Sequence, residues 1–236
     1  MRSRYFLLMA LLAVLLASCG KDPQGMEVRF SVLGDSYSAY EGYVYPETNA
    51  YYPHYPEIGV TQPEYMWWYK LANETGWILE RNNSYSGAMI CNLNYADQYG
   101  LHSFIRRMDD LGNPDVIFVF GGTNDAAYQA PLGDFVYSDW ADEQLCTFRP
   151  ALAYLLENLK TNFPNARLYL MIDMDLASGG IEEEVRDAFI ESMHQLADYY
   201  QVRYIDLYNV HKDLWHPDVY GQDDIFRQVL KAVVSG

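Results

Sequence analysis

The sequence has few cysteines, few basic residues and no motif that would bind a metal or a nucleotide. None of its three cysteines lies in a CxxC pair or a Cys/His cluster, so no metal or other cofactor is expected. Lys and Arg number 16 against 32 Asp and Glu. The resulting net charge of −16 repels phosphate backbones and disfavours nucleic acid as a partner. A glycine-rich phosphate loop and a GKS or GKT signature are missing, which disfavours a nucleotide binder.

The apolar run at the N-terminus is too short for a comfortable transmembrane helix. It extends from Phe6 to Ser18, follows basic residues and ends directly before Cys19. Small residues before a cysteine resemble a bacterial lipobox, whose cysteine is lipidated; the alternative is an ordinary secretory signal with an incidental cysteine. The lipobox predicts a signal peptide over residues 1–18 and a tether over 19–25. It also predicts export, with acyl chains holding the protein at the periplasmic or cell-surface side of a bacterial membrane.

The remaining residues, 26–236, are predicted to form one domain. Half of the whole chain is apolar and 16% is aromatic, which argues against disorder. The length suits one well-buried α/β domain, and neither a repeat period nor an interior linker divides it. Cys91 and Cys146 could pair in an oxidising compartment or stay separate as small buried residues, and the sequence leaves both open.

Strand-like and helix-like segments alternate along this domain. Strands are predicted over residues 26–33, 77–81, 115–120, 167–173 and 202–207, and helices over 64–75, 150–163, 181–200 and 223–234. This alternation favours a doubly wound α/β fold with a central parallel sheet of about five strands, covered on both faces. In such sheets, functional residues collect in loops at the carboxyl ends of the strands.

An aromatic-rich insertion at about residues 40–66 interrupts the alternation. The stretch from Tyr37 to Tyr69 carries nine of the 22 tyrosines, and it is too long for an ordinary connection between a strand and a helix. Its side chains could form a wall for a sugar or an acyl group, or pack on one another as a structural element with its own small core. The sequence does not choose between these alternatives.

Ser36 directly follows the first predicted strand, in VRFSVLGDSYSAY. A serine hydroxyl becomes an effective nucleophile when a histidine takes its proton and a carboxylate orients that histidine. His211 and His216 both follow the last strand and therefore leave the sheet at the same edge as Ser36. His216 has the better setting, because Asp213 precedes it by three residues, a one-turn spacing that lets a carboxylate meet an imidazole. Alone, such a pair is common by chance.

Two other loops could hold the negative charge that forms when an ester is attacked. GGTND follows the buried run DVIFVF, and Asn124 in it has a neutral NH₂ donor. In NNSYSGAM, Gly87 could offer an exposed backbone N–H. The alternative is a set of ordinary turns, in which Asn124 and Asp125 bind local backbone groups.

Taken together, these segments resemble the four sequence blocks of the SGNH/GDSL hydrolases. The blocks are GDS at 34–36, SG at 86–87, GTND at 122–125 and DLWH at 213–216. The resemblance extends from Val28 to about Val234, and NNSYSG with the insertion is similar to a subgroup of GDSL-like acylhydrolases among secreted bacterial proteins. It implies a flavodoxin-like α/β/α sandwich.

The resemblance also implies a role for each site residue. Ser36 would be the nucleophile, His216 the general base and later acid, and Asp213 the residue that orients His216. The backbone N–H groups of Ser36 and Gly87 and the side chain of Asn124 would form the oxyanion hole. Asp35 is expected to be structural, since Asp213 fills the orienting role.

We therefore expect a serine ester hydrolase that works through an acyl-enzyme. Export, a lipid anchor and an aromatic entrance suit a substrate such as a carbohydrate carrying acetyl or other short acyl groups, either as a small molecule or as a polysaccharide. Two alternatives remain: a lipase or thioesterase type of acylhydrolase, and a catalytically silent lipoprotein that binds glycans.

Overall fold

Five parallel strands form the central sheet of the protein. In this computed structural model, residues 27–93, 102–176, 180–213 and 215–235 are described. The strands are β1 (Arg29–Gly34), β2 (Ile78–Ser84), β3 (Val116–Phe120), β4 (Arg167–Asp173) and β5 (Arg203–Leu207). Their order, β2-β1-β3-β4-β5, is the flavodoxin-like order, and every neighbouring pair is parallel. The predicted fold class is confirmed, whereas the signal peptide, the tether and Cys19 lie outside the described residues.

Helices cover both faces of this sheet. They are α1 (Trp67–Thr75), α2 (Phe104–Arg107), α3 (Thr123–Ala127), α4 (Phe148–Asn162), α5 (Glu183–Tyr200) and α6 (Val219–Val234), with short 3₁₀ turns at Tyr55–Ile58, Pro63–Tyr65 and Gln144–Cys146. Successive residues of a strand point to opposite faces. Ile117 of β3 accordingly packs in a core with α4 and α5, while Phe118 packs in a second core with α1 and α6.

The sequence-based elements agree with this structure except at their ends and in three loops. The short helices α2 and α3 lie in segments for which no helix was predicted. Two further strands, β6 (Lys212–Asp213) and β7 (His216–Pro217), pair as a small antiparallel bridge before α6. α6 begins earlier than predicted because the Asp218 carboxylate accepts hydrogen bonds from two backbone N–H groups of its first turn, both at 2.9 Å.

Cys91 and Cys146 are both free thiols, and Cys91 is buried. In the part of the chain that the structure describes, no helix is long and apolar enough to cross a membrane. Among the same residues, no group of three or more His, Cys, Asp or Glu side chains is placed to hold a metal ion.

Candidate active site

Ser36 lies in a tight turn at the carboxyl end of β1. A Cβ atom on Gly34 would lie 2.6 Å from the Ser84 hydroxyl, so the chain can approach β2 here only with glycine. The Asp35 carboxylate accepts a hydrogen bond from the Tyr37 N–H at 2.9 Å, and the Asp35 carbonyl accepts two more from the turn. Gly34 and Asp35 therefore shape the turn that carries Ser36, as expected for a structural Asp35.

Two buried ionisable residues, Asp35 and Arg107, make hydrogen bonds within and to this turn. Burial raises the pKa of Asp35 to about 7, although the hydrogen bond from Tyr37 acts in the opposite direction. The buried Arg107 guanidinium donates to the Gly34 carbonyl at 3.1 Å and to the Asn83 side chain at 3.0 Å. Burial lowers the pKa of Arg107 to about 9. No sequence pattern indicated a role for Arg107, because its partners come from three separate segments.

His216 reaches Ser36 from the β6–β7 bridge. Its Nε2 atom lies 2.9 Å from the Ser36 Oγ atom, within hydrogen-bond distance. Asp213 is the direct cross-strand partner of His216, and paired residues of an antiparallel bridge present their side chains on the same face. The Asp-x-x-His spacing is thus realised by an antiparallel bridge, with Trp215 in the left-handed region at φ 72°, and not by a helical turn. The orienting role of Asp213 stays a prediction.

The predicted oxyanion-hole donors lie in the loops that follow β1, β2 and β3. Gly87 has a φ of 83°, a conformation that favours glycine. Within the described residues, the backbone N–H groups of Ser36 and Gly87 donate to no acceptor, which leaves both available to a substrate. The Asn124 amide donates to the Ala88 carbonyl at 2.9 Å and makes a long contact of 3.4 Å with the Asp35 carboxylate. That weaker contact is the one that a substrate oxyanion could replace.

Asp125, beside Asn124, binds local backbone. Its carboxylate accepts hydrogen bonds from the N–H groups of Ile90 and Cys91, at 2.8 and 3.1 Å. Burial raises its pKa to about 6, and these bonds oppose the shift. Asp125 thereby joins the loop after β2 to α3, which carries Asn124, so the turn alternative holds for Asp125.

Aromatic side chains of the insertion, together with Tyr37 just before it, pack against the His216 imidazole. The Tyr52 ring stacks on the His216 imidazole, with ring centroids 3.6 Å apart and planes 12° apart. The rings of Tyr37 and Tyr55 meet the imidazole edge-on, at 5.5 and 6.4 Å. The Tyr55 hydroxyl also donates to the Ser36 carbonyl at 2.6 Å. Sequence reasoning missed these contacts, because nothing in a tyrosine-rich segment shows which ring meets which loop.

The start of α1 holds the other end of the Ser36 turn. The indole N–H of Trp67 donates to the Ser38 hydroxyl, and that of Trp68 to the Ser38 carbonyl, both at 3.0 Å. Buried side chains of the insertion, such as Tyr55 and Ile58, belong to the core that also contains β3 and α6. The insertion is therefore continuous with the main core and does not have a separate one.

Each of the other four histidines has a partner of its own. His54 binds Glu57 and also meets the Tyr52 ring edge-on, His102 stacks on Tyr85, His194 binds Asp206, and His211 binds Asp218. His211, the other histidine after β5, thus has its own carboxylate partner, and the structure brings His216 to Ser36.

The fold and this site define a GDSL-type hydrolase. The chain belongs to the GDSL-like lipase/acylhydrolase family, whose model matches residues 28–233. This membership supports hydrolysis of esters and confirms the family that the four sequence blocks indicated.

Two solved Bacteroides structures, each described as a GDSL-like lipase, resemble the chain over 89% of its length. The one from Bacteroides uniformis is 40% identical with a TM-score of 0.80, and 96% of it is covered. The one from Bacteroides ovatus is 39% identical with a TM-score of 0.76, and 99% of it is covered. A family two carbohydrate esterase from Clostridium thermocellum, solved with cellohexaose, shares the fold at 14% identity. Its TM-score is 0.60, over 89% of this chain and 64% of that one. No curated protein matches the chain.

Proposed function

We propose that the protein is a serine esterase that removes acetyl or other short acyl groups from carbohydrate through an acyl-enzyme. The observation that carries the proposal is the 2.9 Å distance between Ser36 Oγ and His216 Nε2 at the carboxyl edge of the sheet. Nucleophile and base stand within direct proton-transfer reach, in a family of acylhydrolases.

The reaction follows from this geometry in two steps. His216 takes the Ser36 proton as Oγ attacks the ester carbonyl, and the N–H groups of Ser36 and Gly87 with the Asn124 amide hold the oxyanion. The imidazolium then protonates the departing alcohol and leaves an acyl group on Ser36. In the second step His216 deprotonates a water molecule as it attacks the acyl carbonyl. The imidazolium then returns that proton to the Ser36 Oγ atom, and the acid and free Ser36 are released. Asp213 orients the imidazole and stabilises its charged form.

Two observations favour a carbohydrate substrate. Tyr43, Tyr45 and Tyr51 of the insertion are exposed, at 41%, 42% and 37%, and offer amphipathic faces to a sugar. The Clostridium thermocellum relative of the same fold is a carbohydrate esterase. A lipase or thioesterase, and a silent glycan-binding protein, are the competing proposals. Retention of all five predicted site residues argues against the silent one.

The first experiment compares residues 20–236 with the Ser36→Ala variant and with Ser138→Ala, a matched change at an exposed serine of the loop between α3 and α4. Hydrolysis of p-nitrophenyl esters of increasing chain length, and release of acetate from acetylated xylan, are measured. We expect the parent and Ser138→Ala to hydrolyse short esters and acetylated xylan, and Ser36→Ala to hydrolyse neither. A preference for long chains would favour the lipase, and silence of all three proteins, together with glycan binding, would favour the binding protein.

We also propose that residues 1–18 are removed and that Cys19 carries the acyl chains of an exported, membrane-held lipoprotein. The support is the lipobox-like ending of the apolar run. Expression in a bacterium with radiolabelled palmitate tests this proposal, with Cys19→Ser as the control. Equal labelling of both proteins would overturn it.

A further inference from the structure

We propose that Tyr52 is a positioning residue for the catalytic base: its ring holds the His216 imidazole against Ser36 and stabilises the imidazolium. The inference rests on the proposed function, in which His216 takes the Ser36 proton. Neither of the two roles considered for the insertion, substrate wall or separate core, includes this one.

The stacking geometry is close and nearly parallel. The centroids of the Tyr52 and His216 rings are 3.6 Å apart, and the ring planes differ by 12°. Tyr52 also meets the rings of Tyr55 and His54 edge-on, at 4.9 and 5.6 Å. Tyr52 is thus held between the fully buried Tyr55 ring and the imidazole.

Besides their direct hydrogen bond, Ser36 and His216 are connected indirectly through Tyr55 and Tyr52. Tyr55 donates its hydroxyl to the Ser36 carbonyl at 2.6 Å, and its ring supports Tyr52, which in turn supports His216. The direct Ser36–His216 hydrogen bond closes the ring of contacts. Displacement of Tyr52 would therefore release one face of the imidazole without touching either reacting atom.

The electrostatics of the stack favour the charged base. The face of an aromatic ring is electron-rich and attracts a cation that lies over it. His216 is neutral before each step and gains a proton as each transition state forms, so the attraction strengthens when the barrier is crossed. The strength of such contacts corresponds to a rate change of about 3- to 30-fold.

No variant replaces the other titratable groups near His216, Tyr52 and their ring partners. These groups are Asp35, Tyr37, His54, Tyr55, Glu57, Lys212 and Asp213. Burial raises the pKa of Tyr37 and of Tyr55 well above the ordinary value, so both phenols remain neutral during an assay. Lys212 is paired with a buried carboxylate. A difference between Tyr52 variants therefore reports on the Tyr52 ring.

The kinetic test uses the full chain with Tyr52→Leu, which keeps an apolar cover, and Tyr52→Phe, which keeps the ring. Tyr204→Leu is the matched control, since Tyr204 packs on His194 away from Ser36. For Tyr52→Leu we expect kcat on p-nitrophenyl acetate to fall about 3- to 30-fold with little change in KM. The acidic limb of kcat/KM should move down by about half to one pH unit. Tyr52→Phe and Tyr204→Leu should behave as the parent does.

Two kinetic outcomes would overturn the inference. An effect on KM alone would make Tyr52 part of a substrate wall. Equal loss in the Phe and Leu variants would assign the effect to the hydroxyl group. The fold of each variant is checked by circular dichroism and thermal unfolding. If Tyr52→Leu does not fold, Tyr52→Met takes its place.

A second measurement does not depend on turnover. The His216 ring is titrated by ¹⁵N NMR in the Ser36→Ala variant and in the double variant Ser36→Ala/Tyr52→Leu. A lower His216 pKa in the double variant supports the inference even if no ester is hydrolysed, whereas an unchanged pKa overturns it. Loss of the proposed function would instead appear as silence of the parent enzyme in the ester assays.

Discussion

The ammonium of Lys212 lies 2.6 Å from the carboxylate of Asp173, and the two side chains are 7% and 1% exposed. Lys212 also donates to the Asp175 carbonyl at 2.8 Å. The ion pair joins β6, which carries Asp213, to the carboxyl end of β4. Burial raises the pKa of Asp173, and the nearby Lys212 opposes that shift. The bridge that presents His216 is therefore bound to the sheet through a buried charge pair.

Removal of one member of this pair should destabilise the protein strongly. In Lys212→Met, the Asp173 carboxylate is left buried without a counterion, and the free energy of unfolding in urea should fall by about 3–5 kcal/mol. Turnover should also fall, since the β6–β7 bridge loses its contact with β4. The double variant Lys212→Met/Asp173→Leu should regain most of the stability. A single variant as stable as the parent would show that the pair does not hold the bridge.

Ser36 and His216 should act as one unit. Ser36→Ala and His216→Gln should each lower kcat/KM by about 10⁴-fold or more, and the double variant should be no worse than either one, because each change alone stops the same proton transfer. Steady-state kinetics on a short p-nitrophenyl ester measures this. His211→Gln is the matched control and should keep the parent's activity. If the fall in kcat/KM of the double variant equalled the product of the two single falls, the two residues would not act as one unit.

Asn124 should act on the transition state and not on binding. Asn124→Ala should lower kcat by about 10²–10³-fold with little change in KM, because the donor meets its charge only as the oxyanion forms. Asn158→Ala on α4 removes a similar amide-to-carbonyl hydrogen bond far along the chain and should leave kcat unchanged. Near-normal turnover of Asn124→Ala would exclude the oxyanion role.

Asp35 should make stability depend on pH. Its pKa is about 7 in the folded protein, above the ordinary carboxyl value of 3.8, so folding favours its protonated form. The stabilisation is fully present below pH 4 and is lost as the pH rises to 7, by up to about 4 kcal/mol. Urea unfolding at pH 4 to 7 should show this decline in the parent.

In Asp35→Asn the fall in the free energy of unfolding between pH 4 and 7 should be smaller than in the parent, but it should not disappear. Asp125, whose pKa is about 6, contributes with the same sign and remains in the variant. The exposed Asp142→Asn is the control and should follow the parent. Parallel pH curves for Asp35→Asn and the parent would contradict the burial effect.

Part of the sheet could be predicted because β3 and most of β4 are continuous apolar runs. The bounds of β4, Arg167–Asp173, were predicted to the residue. β2 was predicted to end at Arg81, yet it continues to Ser84 through asparagines that favour turns. Their side chains are buried and satisfied by distant groups, as when Asn82 donates to the Ser38 carbonyl at 2.8 Å. Such satisfaction depends on tertiary contacts that a local pattern does not contain.

In the candidate site, too, some features could be predicted from the sequence and others depend on tertiary contacts. Ser36, Gly87, Asn124 and His216 follow strands, and strand ends of a parallel sheet share one edge, so their proximity could be predicted. The stacking of Tyr52 on His216 could not, because it joins distant parts of the chain through an irregular insertion. The pattern of the sequence predicts where the loops lie. It does not predict which aromatic rings pack on one another, because that depends on the three-dimensional path of the insertion.

The supporting contacts of the insertion limit how this enzyme can be engineered or can diverge. Replacement of residues 40–66 by a relative's loop, as a way to transfer substrate preference, would also remove Tyr52 and Tyr55 from beneath the reacting pair. Turnover should then fall together with any change in substrate preference. Libraries restricted to Tyr43, Tyr45 and Tyr51, which are exposed, keep those supports. Evolutionary drift in this segment should be concentrated at exposed positions, of which these three tyrosines are examples.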